Sequence, residues 1–192
     1  MKIVIASASP RRRELIKKIK SVEPVFMPTD ADEVTLDGAT ATAEANARIK
    51  GECAMKNTDL PVLAFDTVVG IGGEVFGKPR TKGEAVNMFK TLCGATHEVV
   101  TGVFLGYKGK KIVKSEKTLV TFGAFTPQLV YNYIDSGAPF DKAGGYNIDD
   151  IMLKPLIEKF DGEYDNVVGL PVALTEKLIE ENLLNGEDGY SA

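Results

Sequence analysis

A chain of 192 residues lies within the span of about 100–200 residues that one domain, or two small lobes sharing a core, usually occupies. Its 23 Lys+Arg against 27 Asp+Glu give a net charge of −4, which excludes a protein held to nucleic acid or to an anionic membrane by bulk charge. One histidine, His97, and two cysteines, Cys53 and Cys93, with no CxxC pair exclude a zinc or haem motif and leave any metal chemistry to carboxylates.

Ile3–Ala6 reads as a short buried strand, too short for a signal-peptide core or a membrane span, so with its unpaired thiols the chain reads as soluble and cytoplasmic. Ser9 is a suitable N-cap and Pro10 a suitable first residue for a helix whose Leu15, Ile16 and Ile19 share one face. A second strand covers Val22–Met27, and the acidic, turn-rich stretch Pro28–Gly38 reads as an exposed loop before a helix at about Thr40–Lys56. Pro61–Val69 is a buried strand interrupted by Asp66, followed by a turn at Gly70, Gly72 and Gly73. Thr81 and Glu84 form a capping box for a helix whose Ala85, Met88, Phe89 and Leu92 face a core, and Gly94 ends it. Thr96–Leu105 and Lys111–Phe122 read as a long antiparallel hairpin, and Thr126-Pro127 opens a helix closed by Gly137. Asp141–Asp150 is irregular, Val167-Val168 reads as a short strand, Pro171–Leu184 as a final helix, and Asn185–Ala192 as a frayed end. Alternating strands and helices with a late hairpin predict one α/β unit with two lobes and a mixed sheet.

Three features carry chemistry. Ser7, Ser9, Arg11, Arg12 and Arg13 surround the first strand-to-helix turn. Positive charge there opposes the helix dipole by about 0.3–1 kcal/mol per residue, a cost that a phosphate-bearing ligand reverses. Arg13, Lys17, Lys18 and Lys20 also fit a solvated basic face. Asp66 sits inside an apolar strand, where a carboxylate needs a partner, a metal or a shifted pKa; it is either a magnesium ligand or general base, or a strand-end turn cap. Lys78, in Gly77-Lys-Pro79, stands on a stiffened loop, and Lys50 lies on the long helix; neither is specific alone. Asp32-Glu33 is a second metal-binding pair or plain wet surface. His97 reads as packed or structurally hydrogen-bonded, and without a Gly-x-Ser-x-Gly elbow no Ser/His/Asp triad is proposed. Asp141–Gly145 is either a ligand loop or a turn that needs glycine. Together the residues describe phosphates held by Arg and Lys beside an acidic metal and water site, a plan for phosphoanhydride hydrolysis.

Ser7-Ala-Ser-Pro-Arg-Arg12 with Leu15-Ile16 resembles the N-terminal signature of the Maf family of nucleotide pyrophosphatases. Further matches follow in order: Asp32-Glu33, Asn46–Lys50, Asp66–Val69, Gly77–Pro79, Glu84-Ala85, Leu92–Gly94, His97, Thr101–Val103, Asp141–Gly144 and Asn166–Pro171. The resemblance implies an inosine triphosphate pyrophosphatase-like fold, with two lobes around a long mixed sheet and the cleft between them in a single domain of residues 1–192. It implies an enzyme that splits nucleoside triphosphates between the α and β phosphates with Mg²⁺ or Mn²⁺, and a cytoplasmic homodimer. By position, Asp66 would activate water and bind the metal with Glu33. Arg11, Arg12, Lys50 and Lys78 would hold the triphosphate, and Ser7 and Ser9 would line the loop. Arg11 and Thr67 resemble the branch acting on dTTP and UTP. Where that branch carries a glutamine this chain has Asp149, which when ionised only accepts a hydrogen bond and so suits an N–H edge of a base. The competing expectation is a nucleotide-binding regulator of septum formation that turns little over.

Overall fold

The structure is a computed structural model in which residues 1–185 are described; the expected frayed end beyond Asn185 lies outside them. Among these residues β1 (Lys2–Ile5), β2 (Glu23–Phe26), β3 (Val62–Ile71), β4 (Glu74–Phe76), β5 (Thr96–Tyr107), β6 (Lys110–Phe122) and β7 (Ile157–Asp161) form one sheet of seven strands. Its order is β2-β1-β3-β5-β6-β7, with β4 pairing β3 beyond the end of β1. β1 runs parallel to β2 and β3, and the other neighbouring pairs are antiparallel, so the sheet is mixed as expected.

Alternation along β3 assigns its two faces. Val62 and Ala64 pack with Val4 and Ala47 under α2 (Ala39–Met55), whereas Leu63 and Phe65 pack with Ile5, Ile16 and Leu178 on the side of α1 (Pro10–Leu15) and α6 (Val172–Ile179). α2 comes unusually close to the sheet because β5 has Gly102, where a Cβ would stand 2.3 Å from the Ala43 carbonyl oxygen. That approach seats the polar face of α2 over Asp66. A third core, around Phe89 of α3 (Lys82–Leu92), Phe122 of β6 and Tyr133 of α4 (Pro127–Asp135), fills the far end of the long hairpin. The hairpin turns on Lys108 and Gly109, both at positive φ (45° and 81°), the requirement of a tight two-residue turn matched to strand twist.

Several expectations need correction. β3 is not interrupted by Asp66: the residue pairs with Gly102 in mid-strand, because the carboxylate is satisfied by α2 and leaves the ladder intact. Val167-Val168 is not a strand but the end of α5 (Tyr164–Val168). There the Asn166 side chain donates to the Val99 carbonyl at 3.1 Å, and Gly169, at φ 124°, closes the helix. β4 and β7 are additional to the predicted strands. The final helix ends at Ile179 and continues as a π-helical turn, Glu180–Leu184.

His97 is buried in the third core, its Nε2 2.8 Å from the Tyr146 hydroxyl, which matches the structural role read from sequence. Burial lowers its pKa from 6.5 to about 4. The unfolded imidazole therefore binds a proton that the folded one refuses across that window, and stability should fall as pH drops from about 6.5 to about 4, by up to about 3 kcal/mol. Urea-unfolding midpoints against pH test this: His97→Asn should flatten the curve in that window, and an unchanged slope would assign the acid sensitivity to other groups.

Candidate active site

β1 touches β3 only at Val4–Val62 and Ile5–Leu63, and β4 takes over at Val69–Phe76. From Ala64 to Val68 the β3 edge has no strand beside it, and a cleft of about 760 Å³ opens there. Adjacent residues of β3 reach this cleft from opposite faces of the sheet: Asp66 from the α2 side and Thr67 from the side of α1 and α5.

On the α2 side the Asp66 carboxylate, almost fully buried, accepts from Lys50 Nζ at 2.5 Å and from Asn46 Nδ2 at 3.2 Å. Asn46 and Lys50 are one helical turn apart, so both descend from the same face of α2. Lys50 Nζ also lies 2.7 Å from Glu33, placing one ammonium between two carboxylates. Burial alone would raise the Glu33 pKa, but the hydrogen bond and charge of Lys50, with Lys78 and Arg12 behind, hold it below the ordinary carboxylate value. Asn46 fixes the Glu33 loop as well: its Oδ1 accepts from Val34 N at 2.8 Å and its Nδ2 donates to Val34 O at 3.0 Å.

On the other side Arg12 is partly buried. Its Nε donates to the Gly169 carbonyl at 2.7 Å, Nη2 to Thr67 Oγ1 at 2.9 Å and Nη1 to Ser7 Oγ at 3.4 Å. All three acceptors are neutral. Burial lowers the Arg12 pKa, opposed chiefly by the charge of Asp66; a guanidinium stays ionised under such a shift. Donors not spent on protein are available to an anion in the cleft. α1 has only six residues, so the grip belongs to the arginine side chains rather than to a long helix dipole. Arg13, expected at a solvated face, stacks over Phe26 at 4.3 Å.

Of the residues singled out in the sequence, Ser9, Arg11, Arg12, Glu33, Lys50, Asp66, Thr67 and Lys78 line one cleft. Ser7 is buried beneath it, holding Arg12 and the Ser9 amide. Asp149 stands outside the lining, exposed, and accepts the Tyr164 hydroxyl. Six basic side chains line the cleft, Arg11, Arg12, Lys50, Lys78, Arg80 and Lys142, against three acidic ones, Glu33, Asp66 and Asp141. Asp141 faces Arg11 at 3.7 Å and pairs with Lys142. Lys78 has no carboxylate within ion-pair distance among the described residues. Asn46, Thr101, Lys142 and Asn166 carry roles that sequence reasoning did not assign, although Asn46, Thr101 and Asn166 stand in the matched stretches and Lys142 in the candidate ligand loop.

No cluster of three or more His, Cys, Asp or Glu occurs among the described residues. Glu33 and Asp66 converge on a single cationic group, a donor set that suits a hard ion completing its shell with water and phosphate oxygens rather than one held by protein alone.

The sequence model described as Maf-like protein matches residues 2–182. The chain belongs to the Maf family. Among Maf relatives, the dTTP/UTP pyrophosphatase of Thermosipho africanus is 43% identical over 174 residues, covering 90% of this chain and 89% of that one. The dTTP/UTP pyrophosphatase of Carboxydothermus hydrogenoformans is 44% identical over 184 residues, covering 94% and 98%. In three dimensions the chain is similar to the Staphylococcus aureus Ham1 protein, with a TM-score of 0.58 at 15% identity over 94% of this chain and 99% of that one. That likeness establishes the fold and agrees with the architecture implied by the Maf signature.

Proposed function

We infer that this Maf protein is a nucleoside triphosphate pyrophosphatase, splitting the α–β phosphoanhydride to a nucleoside monophosphate and pyrophosphate. The observation that carries the chemistry is the pairing across β3: Asp66 with Lys50 and Glu33 on one face, Arg12 with unspent donors on the other, in one cleft. The relatives named above act on dTTP and UTP, and Thr67 and Arg11 sit where the Maf signature places the pyrimidine-specific residues.

Arg11, Arg12 and Lys78 hold the phosphate chain, and their positive charge stabilises the negative charge that builds on the departing pyrophosphate oxygen. Asp66 accepts the proton of the attacking water. Lys50 and Asn46 hold its carboxylate in place, so little reorganisation is needed at the moment of transfer. A divalent cation, Mg²⁺ or Mn²⁺, arriving with the triphosphate fits beside Glu33 and Asp66 and would supply Lewis-acid polarisation of the phosphate and a more acidic water. Lys50, assigned to the triphosphate by resemblance, pairs with these two carboxylates in the structure and would keep them in register until the cation enters.

Purified protein incubated with a panel of ribo- and deoxyribonucleoside triphosphates and Mg²⁺ or Mn²⁺ tests the reading. Monophosphate and pyrophosphate are expected, fastest from dTTP and UTP. Diphosphate with orthophosphate would establish a terminal phosphatase instead, and tight binding without turnover would favour a nucleotide-sensing regulator.

A further inference from the structure

Thr67 lines the cleft, yet its hydroxyl has no proton to give a ligand. Thr101 Oγ1 lies 3.0 Å from the Asn166 main-chain carbonyl oxygen, which only accepts, so the single Thr101 proton is committed there. Thr67 Oγ1 stands 2.9 Å from Thr101 Oγ1, and with the Thr101 proton spent, Thr67 must donate its own. Arg12 Nη2, at 2.9 Å, occupies one Thr67 lone pair and leaves the other for the cleft. Asn166 holds the chain of bonds in place. It is fully buried, and its Nδ2 donates to Val99 O at 3.1 Å and to Thr118 Oγ1 at 3.0 Å. Thr118 passes its own proton to the Glu163 carbonyl at 3.0 Å. Every hydroxyl from Thr67 to Thr118 therefore has one permitted direction.

We propose that Thr101, buried and outside the cleft lining, is a specificity-determining positioning residue: by taking the Thr67 proton it presents Thr67 to the ligand as an acceptor only. The cleft then favours a ligand N–H or O–H at this point and disfavours a lone pair. Resting on the pyrophosphatase reading, the donor is either the N3–H of uracil or thymine, which cytosine replaces with a lone pair, or the sugar 3′-hydroxyl.

Calorimetric binding of α,β-methylene analogues of UTP, CTP and 3′-deoxy-UTP separates these sources. A bridge that cannot be split also makes the result independent of turnover. The wild type should prefer the UTP analogue over the CTP analogue if the base supplies the donor, or over the 3′-deoxy analogue if the sugar does. Thr101→Val keeps the side-chain shape but frees the Thr67 proton to face the ligand, and should reduce that preference about tenfold. Thr101→Ser, which retains the acceptor, should restore it. An unchanged preference in folded Thr101→Val, or no preference on either arm in the wild type, overturns the proposal. If Thr101→Val does not fold, Thr67→Val takes its place: removing the acceptor should abolish the preference, and a retained preference overturns the proposal equally. Failure of the wild type to release pyrophosphate from UTP would overturn the functional reading alone, because the binding preference is still measured.

Discussion

Asp66→Asn is expected to lower kcat by about 10²–10⁴, the contribution of a positioned general base. The amide keeps the volume of the carboxylate and can still accept from Lys50, but it cannot take a proton from water. A second effect follows from its neighbour. Asn46 already turns its Nδ2 toward Asp66 and is locked in that orientation by both polar groups of Val34. The new amide, with its oxygen toward Lys50, therefore sets its own NH₂ against that of Asn46. The mismatch should cost about 1–3 kcal/mol and lower the unfolding midpoint, while the transition remains cooperative. Pyrophosphate release and urea unfolding measured on the same preparation check both effects. A kcat within tenfold of wild type would remove Asp66 from the role of base.

Arg12→Lys should be nearly as damaging despite keeping the charge. The guanidinium spans Gly169 O and Thr67 Oγ1 at 2.7 and 2.9 Å from two different nitrogens, and one ammonium cannot satisfy both and still meet a phosphate. Losing charge-assisted bonds of about 1.5–3 kcal/mol each predicts a fall in kcat/KM of about 10²–10³. The Gly169 carbonyl is also left short of its donor. Steady-state kinetics decide the point: values within threefold of wild type would show that the fork geometry is dispensable.

The sequence carried most of the fold because its signals were local. Pro10 after Ser9, the Thr81 box and the apolar stripe of Ala85, Phe89 and Leu92 each need only a few neighbours to act, and each sits where its chemistry requires. Even there, Glu84 Oε2 reaches back to Arg80 N at 2.7 Å rather than to the capping residue itself. The errors arose where a distant element decides the outcome. Val167 and Val168 favour a strand in isolation, but the buried Asn166 anchors the segment to β5 and draws it into a helical turn. β4 is three residues long and exists because the β3 edge needs a neighbour past β1.

The site was legible in part for the same reason. Asp66 stood out as a charge among apolar residues, and Arg11 and Arg12 as charges at the wrong end of a helix. Asn46, Thr101 and Asn166 did not, because an amide or a hydroxyl in a helix or strand looks ordinary until its partners are known. The family resemblance puts Asp149 near the ligand, but the chain turns it outward to Tyr164.

The stretch of β3 left open on its β1 edge makes the sheet a partition wall, with Asp66, Asn46 and Lys50 on one side and Arg12, Thr67 and Thr101 on the other. The backbone between Asp66 and Thr67 is the shortest link between the two faces. Substitutions near Asn46 and Lys50 are shielded from Thr101 and Asn166 by the sheet itself, so their free-energy effects should approach additivity. A protein built this way can exchange one ligand edge for another by repacking the α5 side of the sheet, leaving its hydrolytic apparatus undisturbed.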